Sequence, residues 1–220
     1  MISKNIKEKI KKEAIEFFKG SSGCHDWTHV ERVTVLALKI GKKEKADLDV
    51  LEVAALLHDI GRREEMKRKG AFCHAEKGAE MARPILKKYK VSDTDIENIV
   101  HCIITHRHRN NHKPETIEAK VLFDADKLDS LGAVGVARDF LFAGYVGSDR
   151  LYTGNEKKLV KQDKDFAYTN EDSALLEYEI KLKKLKNQML TKTGKEIAKE
   201  RDDFMKLYFK RFWKEVKGEL

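Results

Sequence analysis

The chain has 220 residues, of which 41% are hydrophobic, so it can bury one continuous core. Its formal net charge of +8 sets 45 Lys and Arg against 37 Asp and Glu, and we interpret most of these charges as a solvated surface of mixed sign. The three cysteines, Cys24, Cys73 and Cys102, show no CxxC spacing, which argues against a disulfide framework. No apolar run approaches the ~18 residues of a membrane span, and the N-terminus lacks an apolar signal core. We therefore expect a cytoplasmic protein without membrane attachment.

Helical periodicity dominates the chain, and no strand-like alternation rises above it. The predicted helices span about residues 3–19, 26–41, 47–60, 73–89, 92–106, 116–130, 134–142, 173–190 and 194–216. Glycines at positions 20 and 41 are expected to end the first two helices. Residues from about 144 to 172 lack periodicity and are predicted to form a long loop. The prediction is an all-α single domain over residues 1–220, with its core at about 20–145 and two long C-terminal helices at about 173–216.

The third predicted helix is apolar on nearly every side at residues 53–57, which indicates a central, buried helix. It ends directly after His58 and Asp59. A carboxylate is costly to bury at such a place unless a positive group pairs with it, and a metal ion meets that need. The alternative is a surface carboxylate that simply lies beyond the end of the helix.

Four positions stand out as candidate metal ligands: His29, His58, Asp59 and an aspartate within residues 124–129. Imidazole nitrogens combined with carboxylate oxygens suit divalent ions such as manganese, iron, nickel or zinc. An octahedral ion with only four protein ligands keeps positions open for water and substrate, as metal-assisted hydrolysis requires. An ordinary core or surface histidine remains the alternative for His29.

Three segments resemble the ordered H…HD…D signature of the HD-domain phosphohydrolases, namely residues 24–33, 56–61 and 124–129. Two further segments, residues 131–138 and 195–205, resemble the bacterial and archaeal subgroup that includes the YedJ and YpgQ proteins. The resemblance extends from about Ile15 to Met205. It implies an HD-domain helical bundle to which the two C-terminal helices are added.

The resemblance implies four metal ligands, which are His29, His58, Asp59 and Asp126. Asp126 is preferred because residues 125–128 resemble the A-D-[RK]-L element of the family, and Asp124 is the second choice. Manganese is the favoured ion, with iron, nickel, zinc, cobalt and magnesium as alternatives. Asp59 is also expected to orient the attacking water.

Further histidines resemble elements that surround the metal in HD proteins. His74 and His106 resemble the two extra histidines of members that hold two metals. We favour contact with substrate phosphate for both, and a second metal or two surface histidines are the alternatives. His101 and His106 point in different directions from one helix, so only one of them should face the site, and the resemblance of residues 103–106 favours His106. The expected substrate-binding residues are thus His74, His106, Lys127 and Arg62. His25 is predicted to contact phosphate or to act as a general acid, and a simple loop histidine is the alternative.

The resemblance implies hydrolysis of a nucleotide, either of a nucleoside triphosphate to monophosphate and pyrophosphate or of another phosphoester. One alternative is a di-iron HD oxygenase acting on a small molecule, for which His74 and His106 would have to be metal ligands. The other is a non-catalytic nucleic-acid-binding protein, although no binding motif is visible and no specific nucleic-acid partner is expected. The protein is expected to be a monomer or a homodimer.

Overall fold

The structure is a computed structural model, and it describes residues 1–21, 25–68, 72–107, 112–162, 164, 166, 169, 171 and 173–220. These residues form helices and turns and contain no strand, which confirms the all-α prediction. They divide into two compact units. The first holds the described residues of 1–21, 25–126 and 190–194, and the second holds those of 127–189 and 195–220. The expectation of a single domain stays a prediction.

The first unit contains six helices and most of a seventh among the described residues. These are α1 (Lys4–Phe18), α2 (Trp27–Glu44), α3 (Leu48–Leu57), α4 (Arg62–Lys67), α5 (His74–Lys88), α6 (Asp93–Thr105) and α7 (Ile117–Leu128). Asp26 and Ser92 cap α2 and α6, because each side chain accepts a hydrogen bond from a backbone N–H of the first turn. Helix α3 packs against α1, α2 and α6, as its uniform apolarity predicted.

Helix α2 does not end at Gly41, where the sequence prediction ended it. It continues to Glu44, and Lys45 follows in the left-handed conformation with φ of 59°. A Cβ atom at position 41 would collide with the Leu51 side chain of α3. The glycine therefore allows α2 and α3 to approach closely instead of ending the helix.

The second unit contains the last residues of α7 and most of the C-terminal half of the chain. Its helices are α8 (Gly132–Tyr145), α9 (Glu156–Leu159), α10 (Ala174–Ile180) and all but the first turn of α11 (Lys192–Val216). The segment predicted as a loop contains α9 and a following 3-10 helix, Val160–Gln162, while several of its other residues lie outside the described ones.

The expected long helix over 173–190 is replaced by two shorter elements. Helix α10 has seven residues, and a 3-10 helix follows it over Leu182–Gln188. Residues three apart share one side of a 3-10 helix, and Leu182 and Leu185 are both buried. The same two leucines also fit an α-helical period, so the sequence pattern did not separate the two conformations. Helix α11 is the one long C-terminal helix, close to its predicted span.

Two features of the described residues concern the expected compartment. Cys73 and Cys102 are free thiols, and Cys24 lies outside the described residues. None of the helices in the described ranges combines the length and the apolar character that a membrane crossing needs. The cytoplasmic location stays a prediction.

Asp124 of α7 is fully buried in the first unit and holds the segment that leads into α11. Its carboxylate accepts hydrogen bonds from the backbone N–H groups of Leu190 and Thr191, at 2.8 Å each, and from the Thr191 hydroxyl at 2.7 Å. A Cβ atom at Gly194 would collide with the same carboxylate. Asp124 therefore acts as a cap for this segment.

We expect Asp124→Ala to lower the free energy of unfolding by about 3 kcal/mol, because it leaves buried donors without an acceptor. Urea denaturation of the wild type and the variant measures this difference. Asp203→Ala is the control, since Asp203 is an exposed aspartate of α11 that pairs with Lys206. A much smaller loss is expected there. Equal losses for the two variants would contradict the capping role.

Candidate metal centre

Two buried histidines directly follow the ends of two packed helices, His58 after α3 and His106 after α6. The His58 Nδ1 donates a hydrogen bond to the Ala55 carbonyl at 2.7 Å, and the His106 Nδ1 donates one to the Ile103 carbonyl at 2.6 Å. Because a carbonyl oxygen can only accept, each neutral ring carries its proton on Nδ1 and a lone pair on Nε2. The ring centroids are 5.3 Å apart, so both lone pairs belong to one buried cluster.

His29, on the first turn of α2, and Asp126 of α7 complete a first group of ligand atoms with His58. The His29 Nε2 lies 3.3 Å from the His58 Nε2 and 3.5 Å from the Asp126 Oδ1, and the His58 Nε2 lies 4.0 Å from the same oxygen. Ligand atoms about 2.1 Å from one shared ion would lie roughly 3 to 4 Å apart. These three residues therefore fit a divalent cation.

Asp59 joins this group and is itself buried. Its Oδ2 lies 3.7 Å from the His29 Nε2 and 3.9 Å from the His58 Nε2. Burial alone would raise the pKa of Asp59, but His58 and His74 hold it well below its usual range. The four ligands that the resemblance implied thus lie together, and Asp59 among them is ionised.

The other oxygen of Asp59 faces a second group of ligand atoms, formed with His74 and His106. Its Oδ1 lies 2.9 Å from the His74 Nε2 and 3.5 Å from the His106 Nε2, and these two nitrogens are 3.1 Å apart. The three atoms form a second group that could hold a cation, and the phosphate contact of His74 and His106 stays a prediction. His101 is placed differently, since its Nε2 accepts a hydrogen bond from the backbone N–H of Glu115.

Gly61 explains how His74 comes so close to Asp59. A Cβ atom at position 61 would lie 2.5 Å from the His74 carbonyl oxygen and 2.8 Å from the Gly78 nitrogen. Any larger residue at this turn would therefore push the start of α5 away. Gly61 lies only two residues after Asp59, so the N-terminal turn of α5 packs directly against the turn that follows α3.

A basic network centred on Glu65 of α4 borders the cluster. The Glu65 carboxylate accepts hydrogen bonds from the His74 Nδ1 at 2.6 Å, from Arg62 at 2.9 Å and from Arg107 at 2.6 Å. Burial raises the pKa of Glu65, but His74 and the two arginines outweigh it and lower the value to about 2. Neither Glu65 nor Arg107 was predicted. Nothing in the charged run over 62–67 distinguishes Glu65 from the neighbouring Glu64.

His25 lies between this network and Asp59. Arg62 donates a hydrogen bond to the His25 Nε2 at 2.8 Å, and the His25 Nδ1 lies 3.7 Å from the Asp59 Oδ2. Because Arg62 can only donate, the Nε2 must accept, and the ring proton is on Nδ1. Burial and then Arg62 lower the pKa of His25 well below its usual range. The ring is therefore neutral near pH 7, and the role predicted for His25 as a phosphate contact or general acid stays a prediction.

The packed helices and the buried histidine–aspartate cluster define an all-helical protein with a centre of metal-ligand type. A family model described as HD domain matches residues 26–131. The YpgQ protein of Bacillus subtilis (strain 168) is 36% identical over 202 residues, which cover 90% of this chain and 87% of that protein. The chain belongs to the HD-domain superfamily of hydrolases.

Solved structures agree with this assignment over almost the whole chain. The crystal structure of Bacillus subtilis YpgQ in complex with ADP matches with a TM-score of 0.72 at 31% identity, covering 98% of this chain and 97% of that one. An HD-superfamily hydrolase from Bacillus thuringiensis matches with a TM-score of 0.70 at 27% identity, covering 96% of each chain. Lys127 belongs to the second unit, and its predicted role in substrate binding stays a prediction.

We expect His58→Ala to weaken Mn²⁺ binding at least about 100-fold, since even a change behind a ligand commonly costs 10- to 100-fold. Titration calorimetry on the metal-free protein measures this affinity. His112→Ala is the matched control, because His112 is a half-exposed histidine that pairs with Glu76. Wild-type Mn²⁺ affinity in the His58 variant would remove this residue from the centre.

The metal-free protein should lose stability as the pH falls from 7.5 to 5.5. Burial lowers the pKa of His58, and it lowers the pKa of His106 to about 4. The unfolded chain binds protons at these histidines near pH 6.5, while the folded chain does not, so acid favours unfolding. Each contributes about 1.4 kcal/mol per pH unit below 6.5 until its folded pKa is reached.

Urea denaturation in the presence of EDTA at pH 7.5 and 5.5 measures this change in the free energy of unfolding. The free energy of unfolding of His106→Gln should depend less steeply on pH than that of the wild type. A free energy of unfolding that stays constant or rises at pH 5.5 would contradict neutral, buried rings.

Proposed function

We propose that this chain is a divalent-metal-dependent phosphohydrolase that cleaves a nucleotide, with a nucleoside triphosphate giving monophosphate and pyrophosphate as the favoured reaction. The observation that carries the proposal is the meeting of imidazole Nε2 atoms with two carboxylates in one buried cluster, beside two arginines. The ADP complex of the similar YpgQ protein supports a nucleotide as the ligand.

We assign the metal to His29, His58, Asp59 and Asp126, and we favour manganese. Buried imidazoles that are neutral, together with an ionised Asp59, leave a negative charge that a cation balances. When bound, a divalent ion supplies Lewis acidity toward water and toward a phosphoryl oxygen.

The protein's own groups then hold the reactants. Asp59 accepts a hydrogen bond from the attacking water and aims its oxygen at phosphorus. We assign His74 and His106 to a phosphoryl oxygen. Because the Nδ1 of each ring already donates, each ring must gain a proton on Nε2 for this contact, and the negative charge of the bound phosphate favours that proton. The new bond joins the water oxygen to phosphorus, and the bond from phosphorus to the leaving phosphate oxygen breaks. Arg62 and Arg107 stabilise the negative charge that develops on the leaving group.

A di-iron oxygenase is the second candidate, and the group of Asp59, His74 and His106 is the observation that favours it. Both functions would use the same buried cluster. Oxygen uptake by the iron-loaded protein with a small-molecule substrate distinguishes the oxygenase, because phosphoester hydrolysis consumes no oxygen.

We expect the manganese-loaded protein to release monophosphate and pyrophosphate, or phosphate, from at least one member of a nucleotide panel. The panel contains nucleoside tri- and monophosphates, a dinucleoside polyphosphate and a guanosine alarmone, and chromatography separates the products. Asp59→Ala should lower kcat/KM at least about 100-fold, because it removes a group that acts in the transition state.

Asp203→Ala serves as the matched aspartate control and should retain wild-type activity. If the wild type turns over no nucleotide, the nucleotide assignment fails. If Asp59→Ala remains as active as the wild type, the reaction does not take place at this cluster.

A further inference from the structure

Glu65 is a buried carboxylate to which three donor groups converge. Its Oε2 accepts from the His74 Nδ1 at 2.6 Å and from Arg62 at 2.9 Å, and its Oε1 accepts from Arg107 at 2.6 Å. The side chain is only 9% exposed. An ionised carboxylate offers about four acceptor positions, so one group can serve all three donors at once.

This arrangement determines which nitrogen of His74 faces the reactants. The Nδ1 donates to Glu65, so the ring is turned with its Nε2 toward Asp59 at 2.9 Å. His58 and His106 reach the same orientation through hydrogen bonds to backbone carbonyls. His74 is the first residue of α5 and obtains it from a side chain on α4 instead.

The same carboxylate also holds two arginines beside the His74 ring. The Arg62 and Arg107 Nη1 atoms lie 3.0 Å and 3.1 Å from the His74 Nδ1, and all three groups are donors. Donors this close repel one another unless a shared acceptor holds them. With Glu65 ionised, the two guanidinium groups and the carboxylate together leave one positive charge at the border of the cluster.

We propose that Glu65 is a positioning residue, which fixes the His74 ring with its Nε2 toward Asp59 and holds Arg62 and Arg107 beside it to receive phosphate. The proposal rests on the phosphohydrolase function given above. Glu65 itself does not touch the substrate and acts through these three side chains.

The test is Glu65→Gln, which keeps the shape of the side chain but replaces an acceptor oxygen by a donor NH2 group. We expect kcat for the best nucleotide of the panel to fall about 10- to 100-fold while Mn²⁺ affinity changes little. Nuclear magnetic resonance of ¹⁵N-histidine-labelled protein should show the His74 nitrogens shifted, with the distant His112 unchanged. Glu65→Asp keeps the carboxylate and should recover part of the activity.

Glu64→Gln is the matched control, since Glu64 is the adjacent residue of α4 and pairs with the exposed Lys67. It should leave both kcat and the His74 signals unchanged. His74→Ala completes a double-mutant cycle with Glu65→Gln. If Glu65 acts mainly through His74, adding Glu65→Gln to His74→Ala should lower kcat much less than it does in the wild type.

Three results would overturn the proposal. The first is unchanged kcat and unchanged His74 signals in Glu65→Gln. The second is an equal fold-loss of kcat in the wild-type and His74→Ala backgrounds. The third applies if Glu65→Gln does not fold. It is full activity together with unchanged His74 signals in Glu65→Asp, because the shorter side chain of that variant cannot keep all three contacts. If the wild type hydrolyses no nucleotide, the proposed function fails, while the His74 signals still decide whether Glu65 orients the ring.

Discussion

The hydrogen bonds from the His58 and His106 Nδ1 atoms to backbone carbonyls are the constraint on which the rest of the centre depends. The last carbonyls of a helix have no donor within the helix, and Ala55 and Ile103 lie in the last turns of α3 and α6. One hydrogen bond therefore satisfies a buried carbonyl and at the same time fixes the tautomer of a ring. Because both helices are packed in the first unit, the Nε2 atoms are held in place before any ligand arrives.

The buried rings surround a charged carboxylate, whose charge the surroundings have to balance. Burial keeps His58 and His106 neutral, and Asp59 stays ionised among them, so the cluster needs a positive partner. The nearby arginines donate to Glu65 and His25. A bound cation would balance the charge of Asp59, so ligand geometry and charge lead to the same interpretation.

Much of the fold and the candidate centre followed from local pattern. The uniform apolarity of α3 predicted its burial, and helical spacing indicated that only one of His101 and His106 should face the centre. The pattern did not reveal Glu65 or Arg107, because their positions depend on the close approach of α5 at Gly61, a contact between distant parts of the sequence. It also left Asp124 and Asp126 to be separated by family resemblance. The structure gives Asp124 three hydrogen bonds at the segment leading into α11.

The two oxygens of Asp59 connect two groups of ligand atoms, and charge distinguishes what each group is suited to bind. The Oδ2 faces His29 and His58, beside the Asp126 carboxylate, and this side attracts a cation. The Oδ1 faces His74, whose other nitrogen lies about 3 Å from two guanidinium groups. When a cation in the first group offsets the charge of Asp59, a second cation beside His74 would be repelled by two arginines that only Glu65 offsets, whereas a phosphate would be attracted. This asymmetry favours one metal and a phosphate over two metals, and hence hydrolysis over oxygenation.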